Sequence, residues 1–202
     1  MGITPQQFQQ LQEKLTRPKR AAAPVWPDHR PVINREAEII FGLDPSLRGT
    51  GYGVIRMVKS GPQALAYGTI RCGGTWERSR CLAQIAREIR AVLKEHPPGV
   101  CVVEGLFYAQ NLQTALVMGE ARGAALAAVA EAAVEIYELA PRKVKQAIVG
   151  YGAAQKPAVA KMVQRLLHLA ELPEPDAADA LALALTHARE RCRYGLSQPR
   201  RI

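Results

Sequence analysis

Cysteine is scarce in this chain and poorly arranged for holding metal. Cys72, Cys81, Cys101 and Cys192 include no CxxC pair and have no histidine at zinc-ligand spacing. That argues against a structural zinc and leaves buried thiols in a reducing compartment as the expectation. Long hydrophobic runs are also missing: no uncharged apolar stretch approaches the ~18 residues of a membrane span. The first residues show neither the basic n-region nor the apolar h-region of a secretory signal, so a cytoplasmic location is expected. No internal repeat is visible. Acid is in short supply, with 18 Asp and Glu against 27 Lys and Arg over 202 residues, a formal net charge of +9. Such a surplus points to a polyanionic partner without naming one.

What is present describes a globular domain. Hydrophobic residues make up 48% and charged residues 22%, which excludes wholesale disorder, and the length suits one domain with a sizeable core. The surplus charge is not confined to a detachable tail. Residues 1–36 carry six basic and three acidic side chains, a net of +3, and the rest of the chain carries +6. Gln6 to Leu15 has the spacing of a short helix with Phe8, Leu11 and Leu15 on one face. Pro18, Pro24, Pro27 and Pro31 then interrupt any regular element. Residues 1–36 are therefore expected to be a flexible amino-terminal extension, 37–192 the folded body and 193–202 a basic tail.

Within the body, Ile39 to Asp44 reads as a buried strand ending on a carboxylate, followed by a glycine-rich segment, 45–53. Residues 52–57 and 64–70 read as two more strands, joined through Lys59-Ser60-Gly61-Pro62 into a hairpin. Helical spacing runs through 76–96, with Leu82, Ile85, Ile89 and Leu93 on one side, and Pro97-Pro98-Gly99 ends it. Val100 to Glu104 is a short apolar strand, again ending on a carboxylate. A long Ala-rich helix over 111–133, a fifth strand over 134–139 and helices from Pro141, over 157–169 and over 176–191 complete the pattern. This is an α/β sandwich built on one five-stranded mixed sheet, its first three strands antiparallel, with helices on both faces.

Four carboxylates stand out by placement. Asp44 and Glu104 end strands, and side chains at strand ends of an open α/β sheet point into the crevice where ligands bind. Asp176 and Asp179, three apart, face the same way from the start of the last helix. Together they would repel one another unless cations occupied the site. Hard divalent ions such as Mg²⁺ suit carboxylate oxygen, and a pair of them ~4 Å apart activates water and stabilises a leaving 3′-oxygen in phosphodiester cleavage. Plainer readings exist for each residue alone: Asp44-Pro45 as a turn, Asp176 as a helix N-cap, Glu104 as a solvated strand end.

The motifs carry a family likeness. Gly42-Leu43-Asp44-Pro45 with Gly49-Thr50-Gly51-Tyr52-Gly53-Val54-Ile55 resembles the opening of the RuvC-type Holliday-junction resolvases. Val103 to Asn111, then Ala115-Leu116 and Gly119-Glu120-Ala121-Arg122-Gly123, is similar to that family's second motif. Val144-Lys145-Gln146, Gly150-Tyr151-Gly152-Ala153, Lys156, Asp176 to Ala182 and Thr186-His187 follow in order. The likeness covers roughly 38–189 and leaves 1–36 outside the family core.

The resemblance implies an RNase H-like fold and paired, symmetric nicking of four-way DNA junctions in recombination and repair. It implies Mg²⁺, two ions per active site with Mn²⁺ as a substitute, held by Asp44, Glu104, Asp176 and Asp179. It implies a homodimer and admits a branch-migration helicase complex as a further partner. Two departures are visible: Ser46 stands where glycine commonly follows Asp-Pro, and Gly105 where a polar residue is common. The first bears on the backbone beside the metal, the second on junction contact.

Between Leu139 and Ala170 lie Arg142, Lys143, Lys145, Lys156, Lys161 and Arg165 with no acid among them, which favours a phosphate-contacting surface over a merely solvated face. Resemblance singles out Lys145 and Lys156. Phe107 and Tyr108 follow Glu104 in a loop, where either closes over the core or stacks on an opened base, and the likeness points to Phe107 for stacking. Ala115, Gly119, Gly123 and Ala127 recur every fourth residue on the long helix. Packing on the sheet is the default for such a stripe, and a share in a dimer interface is what the resemblance adds. His96, His168 and His187 read as ordinary helix residues. Two other readings of the chain remain: an RNase H-like nuclease acting on RNA or non-junction DNA, and a non-catalytic junction-binding scaffold. An actin-like nucleotide-binding protein would need two such domains, and the chain has room for one.

Overall fold

The computed structural model describes residues 38–105, 111–192 and 200–202, apart from the side chains of 191 and 192. Strands β1 (Ile39–Asp44), β2 (Gly49–Val58) and β3 (Gly61–Arg71) come first, then helix α1 (Arg78–Glu95) and strand β4 (Val100–Glu104). Helix α2 (Leu112–Glu131) leads to β5 (Glu135–Leu139). Helices α3 (Pro141–Val149), α4 (Lys156–Leu166) and α5 (Pro175–Cys192) precede a two-residue strand, β6 (Arg200–Arg201). The sheet order is β3-β2-β1-β4-β5-β6. β1, β2 and β3 are antiparallel neighbours, β4 and β5 run parallel to β1, and β6 is antiparallel to β5. The expected mixed α/β sandwich is present, with six strands rather than five.

The sixth strand falls in the segment expected to be only a basic tail. Arg200 and Arg201 pair with Glu138 and Tyr137, Arg201 bridges Glu135 at 3.0 Å, and the Ile202 N–H donates to the Ile136 carbonyl. Two charged residues have no periodicity to read, and only the free edge of β5 makes them a strand.

Alternation along the strands feeds two cores. Ile40, Ile55, Val100 and Val102 pack with α3, α4 and α5. Phe41, Leu43, Val54, Cys101 and Val103 pack with α1 and α2 on the other face. β4 is apolar on both sides because it is the central parallel strand. Helix α5 is Ala- and Leu-rich, hence strongly helix-forming. It is buried from Ala180 through Ala188 because the sheet lies on one side and α3 and α4 on the other. Thr186, inside that helix, satisfies its hydroxyl by donating to the Ala182 carbonyl at 2.7 Å.

The small-residue stripe on α2 does not follow its default reading. Ala121, Arg122, Ala125, Ala128 and Val129 face the sheet instead. A Cβ added at Gly119 or Gly123 would have nothing within 4 Å among the described residues. His96 is the C-cap of α1, and His168 lies past the end of α4 with a φ of 52°. His187 is a buried residue of α5 beside the Tyr137 ring, with centroids 5.3 Å apart. Cys72, Cys81 and Cys101 are free and buried, as expected. Among the described residues no helix is long and apolar enough to cross a membrane.

Candidate active site

β1 and β4 pair in parallel with Leu43 opposite Val103, so both strands end level on a carboxylate. Side chains alternate along a strand. Asp44 therefore points to the same face as Gly42 and Ile40, and Glu104 to the same face as Val102 and Val100, the face covered by α5. What brings the helix close enough is glycine. A Cβ on Gly42 would stand 1.9 Å from the Ala180 carbonyl oxygen, and one on Gly51 would stand 2.0 Å from that of Asp176. No side chain fits at either position, so the first two turns of α5 lie directly on β1 and β2. Asp176 and Asp179 arrive beside Asp44 as a result. The glycine-rich segment thus serves as a slot for a helix, most of it within β2, and not as a loop around a phosphate.

The turn after Asp44 is fixed by Thr50, a fully buried residue. Its hydroxyl accepts from the Ser46 N–H at 3.1 Å and donates to the Ser46 carbonyl at 2.6 Å. Ser46 uses only its backbone here, and it is not among the residues with positive φ. Glycine is therefore not required at that position, and the departure leaves the backbone beside Asp44 intact.

The electrostatics bind these acids into one group. Burial pushes Asp44 up to about 7, and Glu104, Asp179 and Asp176 add to the rise while Lys156 opposes it. Glu104 is raised too, by burial first and then by Asp179, against Lys156, Lys145 and a side-chain hydrogen bond with Asp44. Lys156 Nζ lies 2.8 Å from Asp179 Oδ2, and that hydrogen bond is the main reason its pKa is raised. Asp44 and Glu104 are thus raised by burial and by acidic neighbours, with Lys156 and Lys145 opposing. An oxygen-only donor set of this kind fits hard divalent ions. As the side chains stand, no group of three or more His, Cys, Asp or Glu among the described residues is arranged to hold a metal ion. The fit rests on donor chemistry, and Lys156 supplies the positive charge at Asp179.

The basic residues divide. Lys145 and Lys156 both act on the acid group. Lys143 instead pairs with Glu190 on α5 at 2.7 Å, and Arg142 is exposed beside Gly152. Phe107 and Tyr108 lie outside the described residues. Sequence reasoning gave no role to Thr50 or to Arg122, which is buried on α2 and bonded to the main chain of Glu104. An arginine inside an otherwise Ala-rich helical face was the available signal for the latter.

Comparison with known proteins agrees with this geometry. The profile of the crossover junction endodeoxyribonuclease RuvC family matches residues 40–187. The RuvC of Coxiella burnetii is 47% identical over 156 residues, covering 77% of this chain and 90% of that one. The RuvC of Pseudomonas entomophila is 43% identical over 166 residues, covering 81% and 95%. The solved structure of Thermus thermophilus RuvC in complex with Holliday junction substrate superposes with a TM-score of 0.72 at 34% identity, covering 80% of this chain and 99% of that one. With strand-end acids, a docked acidic helix and a family profile over residues 40–187, the chain belongs to the crossover junction endodeoxyribonuclease RuvC family.

Proposed function

We propose that this chain resolves four-way DNA junctions by paired, symmetric nicks, and that Asp44, Glu104, Asp176 and Asp179 form its catalytic centre. The observation that carries this reading is the convergence of the four carboxylates from three separate segments, on a chain whose net charge is +9. The same acids would hold Mg²⁺, two ions per site with Mn²⁺ able to replace it. Bound there, such ions supply Lewis acidity and an activated water for phosphodiester hydrolysis.

The chain's own residues do the rest. Asp44 and Glu104, on adjacent strand ends, fix one side of the site, and Asp176 and Asp179 reach it from α5. Burial and acidic neighbours hold both Asp44 and Glu104 above the usual carboxylate range, which cations bound there would reverse. Lys156, which spends one of its three N–H donors on Asp179, has others for a phosphate, and Lys145 adds charge from α3. Arg142, Lys143, Phe107 and Tyr108 are proposed as further DNA contacts.

A homodimer suits symmetric cutting. Its support is the outer face of α2, where Leu112 is 77% and Leu116 58% exposed beside the open Gly119 and Gly123 positions. The nuclease unit is proposed as 37–192, acting in the cytoplasm. Cleavage of a mobile four-way junction, compared with duplex, flap and RNA–DNA hybrid under Mg²⁺, tests the reading. Preference for the junction by ~100-fold or more is expected. Equal rates on all four substrates would instead identify a general RNase H-like nuclease, and junction binding without cleavage a scaffold.

A further inference from the structure

Arg122 is the charged side chain most deeply buried on α2, its side chain 9% exposed. Its two terminal nitrogens go to different strands. Nη2 donates to Glu138 Oε2 at 2.6 Å on β5, and Nη1 donates to the backbone carbonyl of Glu104 at the end of β4. Neither contact touches the face of the sheet where the four acids meet. Ile136, two residues before Glu138, belongs to the core on the α1 and α2 side, so the fork works from behind the site.

Two features show that this arrangement is built. Arg122 is buried, and its guanidinium pairs at 2.6 Å with Glu138, itself only partly exposed. Gly105 makes room for the carboxylate: a Cβ there would stand 3.3 Å from both Glu138 Cγ and Oε1. The departure from the family pattern at this position therefore sits directly under the Arg122–Glu138 pair. The Gly105 N–H also donates to the Leu139 carbonyl at 2.8 Å, tying the residue after Glu104 to β5.

We infer that Arg122 is a positioning residue: by clamping the Glu104 carbonyl and Glu138 from α2, it holds the end of β4 in the register that presents the Glu104 carboxylate to the other three acids. The clamp also joins the catalytic strand to the helix whose outer face is the proposed dimer surface. This inference rests on the reading of Glu104 as a metal-holding acid. A planar fork reaches two acceptors at once, which a lysine ammonium on a flexible stem does not reproduce.

The test uses the full-length chain as wild type, Arg122→Lys, Glu138→Gln and Glu104→Gln. Mn²⁺ binding without DNA is followed by calorimetry, with kcat, KM and junction Kd measured in parallel. Arg122→Lys keeps the charge and is the variant that separates positioning from folding. It is expected to stay folded and bind junctions within about twofold of wild type, while Mn²⁺ affinity and kcat fall by about tenfold, as for lost supports behind metal ligands. Glu138→Gln should move both quantities in the same direction and by less. A lowered Tm with wild-type Mn²⁺ affinity and kcat would show a merely structural arginine and overturn the inference. If wild type fails to nick junctions, or Glu104→Gln nicks as well as wild type, the functional reading fails instead. The calorimetric shift then still decides the role of Arg122.

Discussion

The two faces of the sheet are built on opposite terms. On one, α5 lies in backbone contact with β1 and β2, and no side chain separates helix from strand at Gly42 or Gly51. On the other, α1 and α2 pack through ordinary apolar side chains and are laced at the surface by Arg78–Glu120 at 3.1 Å and Arg90–Glu131 at 2.7 Å. The outermost stripe of α2 is left open among the described residues. The difference follows from what each face must do. Carboxylates on a strand and on a helix meet only if the two backbones come close, so the site face has no slack. The opposite face carries small residues outward, where the proposed dimer contact would lie.

Substitutions that fill space should therefore have opposite outcomes on the two faces. Gly42→Ala puts a methyl group into the Ala180 carbonyl, and overpacking of this kind is expected to cost about 3 kcal/mol or more. Denaturant unfolding should show it, together with loss of nicking. Gly123→Ala fills open space and replaces a poor helix former, so the isolated fold should gain up to about 1 kcal/mol. A neutral Gly42→Ala would mean that α5 does not dock as described.

Charge placed on the open face comes next in size. Leu116→Glu should leave the fold intact yet weaken a dimer by about 2 kcal/mol, roughly 30-fold in Kd. Sedimentation at micromolar concentration reads this directly, and an unchanged oligomeric state would move the interface elsewhere.

On the site face, pH should matter in a defined direction. Asp44 is raised from 3.8 to about 7, so the folded protein binds its proton more tightly than the unfolded chain. The resulting stability is full below pH 3.8 and is lost as pH rises through 7. At pH 8 without divalent metal, Asp44→Asn should stabilise the fold by roughly 1–3 kcal/mol, and at pH 4 the gain should vanish. Thermal melts across that range would show it, and a pH-independent difference between the two proteins would contradict it. The smallest effect belongs to the outer lacing. Arg90→Ala should leave the unfolding midpoint close to that of wild type, since both partners of that ion pair are about half exposed and screened by solvent.

Much of this was legible in the sequence because each relevant signal is local. Asp44 and Glu104 could be read as strand ends from the apolar runs before them, and Asp176 and Asp179 from their three-residue spacing on a helix. The purpose of Gly42 and Gly51 was not legible, since a glycine in a strand does not announce which helix will lie on it. Gly119 and Gly123, on their helix, suggested packing inward and instead point out. Arg122 was visible in a motif, but its partners come from two strands brought together only by the parallel register of β4 and β5. β6 depends wholly on an edge formed some 60 residues earlier in the chain. What escapes a sequence reading here is contact between backbones and between distant polar groups, which leaves no periodic trace.

The four carboxylates are proposed to work as one metal-dependent nuclease centre. Its most direct test is nicking of a mobile four-way junction with Mg²⁺ by wild type and Asp44→Asn, with junction binding measured alongside. Wild type should make paired nicks placed symmetrically about the crossover, and Asp44→Asn should bind the same junction with less than ~1% of the nicking rate. Wild-type nicking by Asp44→Asn would show that the chemistry takes place without Asp44.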